Sequence, residues 1–346
     1  MKDKIIEING SYLESGGQIL RTSIALSVIT GKACRVFNIR KGRPRPGLAL
    51  QHLLGVHALA KLSNGKLEGA QIGSEEIKFY PGILDRSQSF LELKIETAGS
   101  ITLLLQALIP PTLFLQNPLE ITFKGGATDT FFSPTIDYLR YVFLKILEKL
   151  GPKIEIAILR RGFYPEGGAK VKVKIYPSKL KALKLTERGK LEKILVISGA
   201  SKFLESRKVA ERQVAGVREI LGKLKLPLEE KIDYYDTQCP GSQVCILAKF
   251  ENTIIGADNL GKLGKRAEDI GKETALELLK EAKSEACLDK HLADQILPYL
   301  ALAQGKSKIK VSQITSHCKT NIWVIEKFVK GKFEIKDKTI TWNPEN

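Results

Sequence analysis

Apolar residues recur at three- and four-residue spacing in three separate stretches, and after each the chain breaks briefly and resumes as a strand. The stretches are Gly16 to Val36, Ala98 to Phe123 and Ala293 to Val311. In the first and third the break is the same pair, Gly31-Lys32 and Gly305-Lys306. A second helical pattern follows each, over Leu48 to Leu62, Pro134 to Leu150 and Lys319 to Val329. Paired strands come next, such as LEGAQI with EIKFY or KFEIK with TITWN. The pattern predicts a β-α-β-α-β-β unit written three times. That is an α/β (α+β) fold in which two helices cover one face of each four-stranded sheet.

The third unit is interrupted between about Gly189 and Lys283. Strand KILVISG, helix SRKVAERQVAGVREIL, strands around IDYYD, QVCILAKF and NTIIGA, and a charged helix RAEDIGKETALELLKEAKSEA predict a small inserted α/β domain. The expected layout is a large repeat domain over 1–188, the insert over 189–283, and the rest of the third repeat over 284–346.

Composition narrows the class. With 346 residues, 43% hydrophobic and 27% charged, the chain fits neither a disordered nor a membrane-embedded protein. Its longest apolar stretch, ITLLLQALIPPTLFL, is short for a span and is interrupted by Gln106, Pro110 and Pro111. The opening MKDKIIEING lacks the apolar segment of a signal peptide, so a soluble, cytoplasmic protein with no membrane partner is expected. Five scattered cysteines without a CxxC pair argue against a zinc ribbon and suit a reducing compartment. The balance of 55 Lys+Arg against 38 Asp+Glu leaves a net charge of +17, which points toward a polyanionic partner. A heat-adapted composition, rich in charge and with one Met, accounts for the same numbers, so the placement of the arginines must decide.

Four segments carry candidate chemistry. In YLESGGQILR a glycine pair runs into a helix whose N-terminus can cradle a phosphate, with Glu14 before it and Arg21 one turn in. A carboxylate beside a phosphate makes sense if it holds a divalent cation; an acidic cap and an ordinary arginine is the plain reading, preferred for this segment alone. In NIRKGRPRPGLALQH, Arg40, Lys41, Arg43 and Arg45 are stiffened by Pro44 and Pro46, which suits bidentate phosphate recognition as well as it suits a solvated turn. In VSQITSHCKTNIWVIEKF, His317 lies between a strand and a helix beginning near Lys319, where Thr315 or Ser316 can cap and the imidazole stays neutral. A lone histidine is usually structural, but this loop is the repeat counterpart of the arginine loop, so pseudo-symmetry could bring both around one cleft. The fourth, GADNLGKL, matches GxxxxGK but has Leu263 where a phosphate-binding loop needs Ser or Thr; it reads as a glycine-rich turn before a helix. The KxDG lysine of ordinary nucleic-acid ligases is absent too.

Seven ordered blocks spanning nearly the whole chain resemble the RNA 3′-terminal phosphate cyclase family: ESGGQILR, IRKGRPRPGLALQHL, AGSITLLLQALIP, KGGATD, RRGFYPEGGAKV, HLADQILP and SHCKTNIWVIEKF. The resemblance implies three β-α-β-α-β-β repeats with an inserted domain, an architecture similar to enolpyruvyl transferases. It implies that RNA 3′-phosphate ends and ATP give a 2′,3′-cyclic phosphate, AMP and pyrophosphate through a histidine–AMP adduct. By position, His317 would carry the AMP and Glu14 the divalent metal (Mg or Mn). Arg21, Arg40, Arg43 and Gln51 would meet phosphates. Gln106, His291, Leu292, Ala293, Asp294 and Gln295 would hold the ATP nucleoside. The block RRGFYPEGGA departs from the family's RHGFYPAGGG-like form at Glu166 and Ala169, which puts its local turn in question. Two other readings compete: a non-catalytic cyclase-like ribosome-assembly protein, which would lack His317, and an enolpyruvyl transferase, which would need neither the insert nor +17. A homo-oligomer is allowed.

Overall fold

The computed structural model describes residues 5–224 and 227–345. The first unit is β1 (Ile6–Asn9), α1 (Gly17–Thr30), β2 (Cys34–Phe37), α2 (Leu50–Leu62), β3 (Lys66–Glu68) and β4 (Ile77–Tyr80), with strand order β1-β2-β4-β3. The second begins with β5 (Phe90–Ser100), α3 (Ile101–Thr112) and β6 (Leu119–Ala127). It continues through α4 (Ile136–Tyr138), a π-helical turn over Leu139–Phe143, α5 (Leu144–Leu147), β7 (Ile154–Arg160) and β8 (Lys170–Ile175), in the order β5-β6-β8-β7. The third starts with β9 (Lys184–Leu185), which pairs in parallel with a strand formed more than a hundred residues later.

Before that strand the chain builds a separate sheet from β10 (Leu191–Ser201), α6 (Val209–Leu221), β11 (Leu228–Tyr235), β12 (Ser242–Phe250), β13 (Ile254–Leu260) and α7 (Ala267–Lys283). It then returns as α8 (Lys290–Leu302), β14 (Ser307–Lys310), α9 (Ser316–Phe328), β15 (Gly331–Lys336) and β16 (Thr339–Pro344). The third sheet reads β9-β14-β16-β15, the strand order of the other two repeats, with the first two strands parallel and the rest antiparallel. The mixed α/β repeat architecture is as the periodicity predicts.

The Gly-Lys breaks have a backbone cause. Gly31 takes φ 70° and returns its N–H to Ser27, ending α1, and Gly305 takes φ 96° before β14. The helices of the three repeats then pack on one another, α1 against α3 and α9, α8 against α9. The segment over residues 189–283 has an apolar cluster of its own around Val196, Val217, Ile246 and Leu278. It is tied to the second repeat by Arg161, fully buried between Asp129 (3.0 Å) and Asp137 (2.5 Å) and stacked on Tyr235.

α3 runs unbroken through Gln106, Pro110 and Pro111, because the prolines fall in its last turn and forfeit only two backbone bonds. No helix among the described residues is long and apolar enough to cross a membrane. The first residues of GADNLGKL complete β13 instead of forming a turn; only Gly261 onward turns into α7. The RRGFYPEGGA turn does form: Ala169 is fully buried, donates its N–H to Gly126 O at 3.0 Å, and leaves the left-handed positions to Gly167 and Gly168. All five cysteines are buried and unpaired.

Candidate active site

α9 begins at Ser316, three residues before the expected start, because Thr315 caps it by accepting from the Cys318 N–H at 3.1 Å. His317 therefore stands inside the first helical turn. Its Nδ1 meets Gln18 Oε1 in a very short contact, while Gln18 Nε2 donates to Asp294 Oδ2 at 3.1 Å and to the His317 carbonyl at 3.4 Å. With the Gln18 amide nitrogen so occupied, only its oxygen faces the ring, so Nδ1 carries the proton and Nε2 keeps its lone pair. Burial, then the charges of Arg21, Arg43 and His291, hold the imidazole below its ordinary pKa, opposed only by Glu14. At neutral pH the ring is uncharged.

Glu14 Oε2 lies 3.5 Å from that free Nε2 and 3.8 Å from Arg43 Nη2. The loop carrying it is strained, with Leu13 and Ser15 at φ 47° and 48°, a left-handed conformation costing L residues about 1–2 kcal/mol each. Ser15 Oγ accepts the Gly42 N–H at 2.7 Å, joining this loop to the arginine loop. Arg40 spends one edge on Gly47 O at 2.8 Å, closing the arginine loop on itself. Gly16 caps α1 without a side chain, and a Cβ there would stand 3.0 Å from Arg43 Nη2. The uncapped first turn of α1 thus faces a guanidinium, a ready place for an anion. Among the described residues no three His, Cys, Asp or Glu side chains gather as a metal cluster, and Glu14 stands as a single carboxylate.

Arg21 Nη2 donates to Gln106 Oε1 at 3.3 Å; desolvation lowers its pKa to about 10 against the pull of Asp294, so it stays charged. Burial, opposed by Arg21, pushes Asp294 up to about 8. Gln51 lines the same crevice as Arg21 and accepts the Ser100 N–H at 3.2 Å, at the start of α3. Along α8, His291 is exposed and Asp294 and Gln295 are half-buried, but Leu292 and Ala293 are fully buried and have only backbone to offer a ligand.

The structure therefore brings Glu14, Arg21, Arg43, Gln106, Asp294 and His317 together and holds Arg40 in the adjoining loop. Three neighbours of the site escaped the sequence reading. Gln18 follows the glycine pair directly and fixes the imidazole. His52 sits so close beneath Gly17 that a Cβ there would lie 2.1 Å from its Nε2. Asp289 accepts from the His291 and Leu292 N–H groups, from Tyr138 Oη (2.6 Å) and from the Gly256 N–H (3.0 Å), anchoring α8 to the second repeat and to β13. Its N-cap type two residues before His291 was the available signal. The Gly256 contact also shows that GADNLGKL serves packing.

A sequence profile described as RNA 3′-terminal phosphate cyclase matches residues 12–335. The RNA 3′-terminal phosphate cyclase of Pyrococcus furiosus is 46% identical over 333 residues, covering 96% of this chain and 95% of that one. Those of Pyrobaculum aerophilum and Sulfolobus acidocaldarius are 44% and 42% identical, each over 96% of this chain and 95% and 97% of theirs. Among solved structures, the enolpyruvyl transferase NikO from Streptomyces tendae aligns with 99% of this chain and 83% of its own at 8% identity, but its TM-score of 0.28 carries no argument. With matching sequence along almost its full length, this chain belongs to the RNA 3′-terminal phosphate cyclase family.

Proposed function

We propose that the chain is a ligase-type enzyme that uses ATP to convert an RNA 3′-terminal phosphate into a 2′,3′-cyclic phosphate, through a histidine–AMP adduct and RNA(3′)pp(5′)A. The observation that carries this reading is the His317 imidazole, held neutral with Nε2 free beside Glu14 and the uncapped end of α1. Nε2 attacks the α-phosphorus of ATP, a P–N bond forms, and pyrophosphate leaves. As the ring takes on positive charge, its Nδ1–H bond to Gln18, backed by Asp294, strengthens. Arg43 and Arg21 offset charge on the phosphoryl oxygens, with Arg40 and Gln51 beside them. Gln106 and the exposed side of α8, from His291 to Gln295, hold the nucleoside.

An oxygen of the RNA 3′-phosphate then attacks the same phosphorus and releases the histidine. The neighbouring 2′-OH attacks the activated 3′-phosphorus, loses its proton and expels AMP; this closure is intramolecular, so proximity drives it. A single carboxylate fits Mg²⁺ or Mn²⁺ held mostly by water and phosphate oxygens, with Glu14 as its protein ligand. Such an ion would supply further charge neutralisation at the phosphates. Residues 189–283 read as an inserted domain with its own core, and the unpaired cysteines support a cytoplasmic setting.

An RNA ending in a 2′-deoxy-3′-phosphate separates the steps. It should discharge the enzyme adduct and stop as adenylated RNA, whereas a 3′-OH end should not discharge it. Discharge by the 3′-OH end, or no adenylated RNA from the deoxy end, would contradict the proposed order.

A further inference from the structure

Tyr12, on the loop that carries Glu14, and Trp323, on the helix that carries His317, stack face to face, ring centroids 4.3 Å apart and planes within 16°. Tyr12 is two residues before Glu14, and Trp323 is six residues beyond His317, about 9 Å along the same helix. Trp323 packs partly against the main core and has Lys327 over its ring, with Nζ 4.8 Å from the centroid. Tyr12 is outside that core, 37% exposed, and the neighbouring Leu13 is 53% exposed. Beyond them, Lys41, Arg43 and Arg45 line the exposed arginine loop, joined to this one through Ser15. Tyr12 and Lys327 cover Trp323, so the open stacking surface is the outer face of Tyr12. An aromatic face near cations is what single-stranded nucleic acid binds: a base stacks on the ring and phosphates meet the cations.

We propose that the Tyr12–Trp323 pair is a stacking platform for a nucleobase at the 3′ end of the RNA substrate. The platform would seat the end of the strand beside the helix that carries His317, with its phosphates toward the arginine loop. This rests on the adenylyl-transfer reading above. The competing role for the pair is a brace that holds the Glu14 loop, and the two roles separate because the adduct forms from ATP without RNA.

The test compares wild type, Tyr12→Phe and Tyr12→Ala. Adduct formation from α-labelled ATP alone should change by less than about twofold in both variants. The KM for RNA 3′-phosphate in the discharge step should rise at least about tenfold in Tyr12→Ala and stay near wild type in Tyr12→Phe. An RNA carrying 2-aminopurine in its last nucleotide should be quenched on binding wild type and Tyr12→Phe, and far less by Tyr12→Ala. An adduct defect in Tyr12→Ala that matches its RNA defect would overturn the platform in favour of the brace. An unchanged RNA KM and unchanged quenching would overturn it outright. A wild type that forms no adduct would instead fail the adenylyl-transfer reading, leaving the quenching comparison to judge the platform.

Discussion

His317 Nδ1 donates to Gln18 Oε1 across 299 residues of sequence, and that bond decides which ring nitrogen is free. Gln18→Leu leaves Nδ1 without its acceptor and releases the tautomer. Adduct formation should slow by about 10- to 100-fold, the usual cost of removing a group that orients a reactive imidazole, with little change in ATP KM. Single-turnover labelling checks it; an unaltered rate would mean the ring is oriented by something else.

Gly17 has no room for a side chain. A Cβ there would stand 2.1 Å from Nε2 of the buried His52, so Gly17→Ala should destabilise the protein by about 1–3 kcal/mol, as overpacking does. Gly17→Ala combined with His52→Ala should recover part of that loss, because the clash is pairwise. Urea unfolding of the four proteins measures the coupling, and simple additivity would contradict the contact.

Burial, then Arg21 and Arg40, push the His52 pKa down to about 3. A depressed histidine contributes stability above its unfolded pKa near 6.5 and loses it as pH falls toward 3, up to about 5 kcal/mol. His52→Asn should therefore flatten the decline in stability between pH 6.5 and 3. Asp294 works the other way: pushed up to about 8, it contributes fully below pH 4 and loses that contribution as pH rises from 4 to 8, so Asp294→Asn should flatten the decline over that range. Unfolding curves at a series of pH values test both.

Much of this was legible in the sequence because it depends on short-range spacing. The helix periods and the Gly31 and Gly305 breaks predicted three units, and the repeat position of His317, counterpart of the arginine loop, allowed the two to share a cleft. Strand order was not legible, since it is set by which edges pair after collapse. Gln18 and His52 were missed for a related reason: each gains its role from a partner brought by the fold, His317 or Gly17. Leu292 and Ala293 sit in a motif that matches the family but turn their side chains into the core, a burial that the motif alone did not show.

The arginine loop is not a uniform basic patch. Arg43 reaches Glu14 and the bare end of α1, whereas Lys41 is exposed on the outside of the loop. Arg43→Ala should reduce adduct formation by at least about tenfold and Lys41→Ala by less than about twofold. Equal small effects would return the loop to solvated charge.

The central claim is that His317 takes the AMP. Incubation with α-labelled ATP, followed by a denaturing gel, should show a labelled protein band that is lost in acid and survives alkali, as a phosphoramidate does. His317→Ala should abolish the band, and His57→Ala, altered at an exposed position on α2, should retain it. A labelled band that persists without His317 would contradict the account.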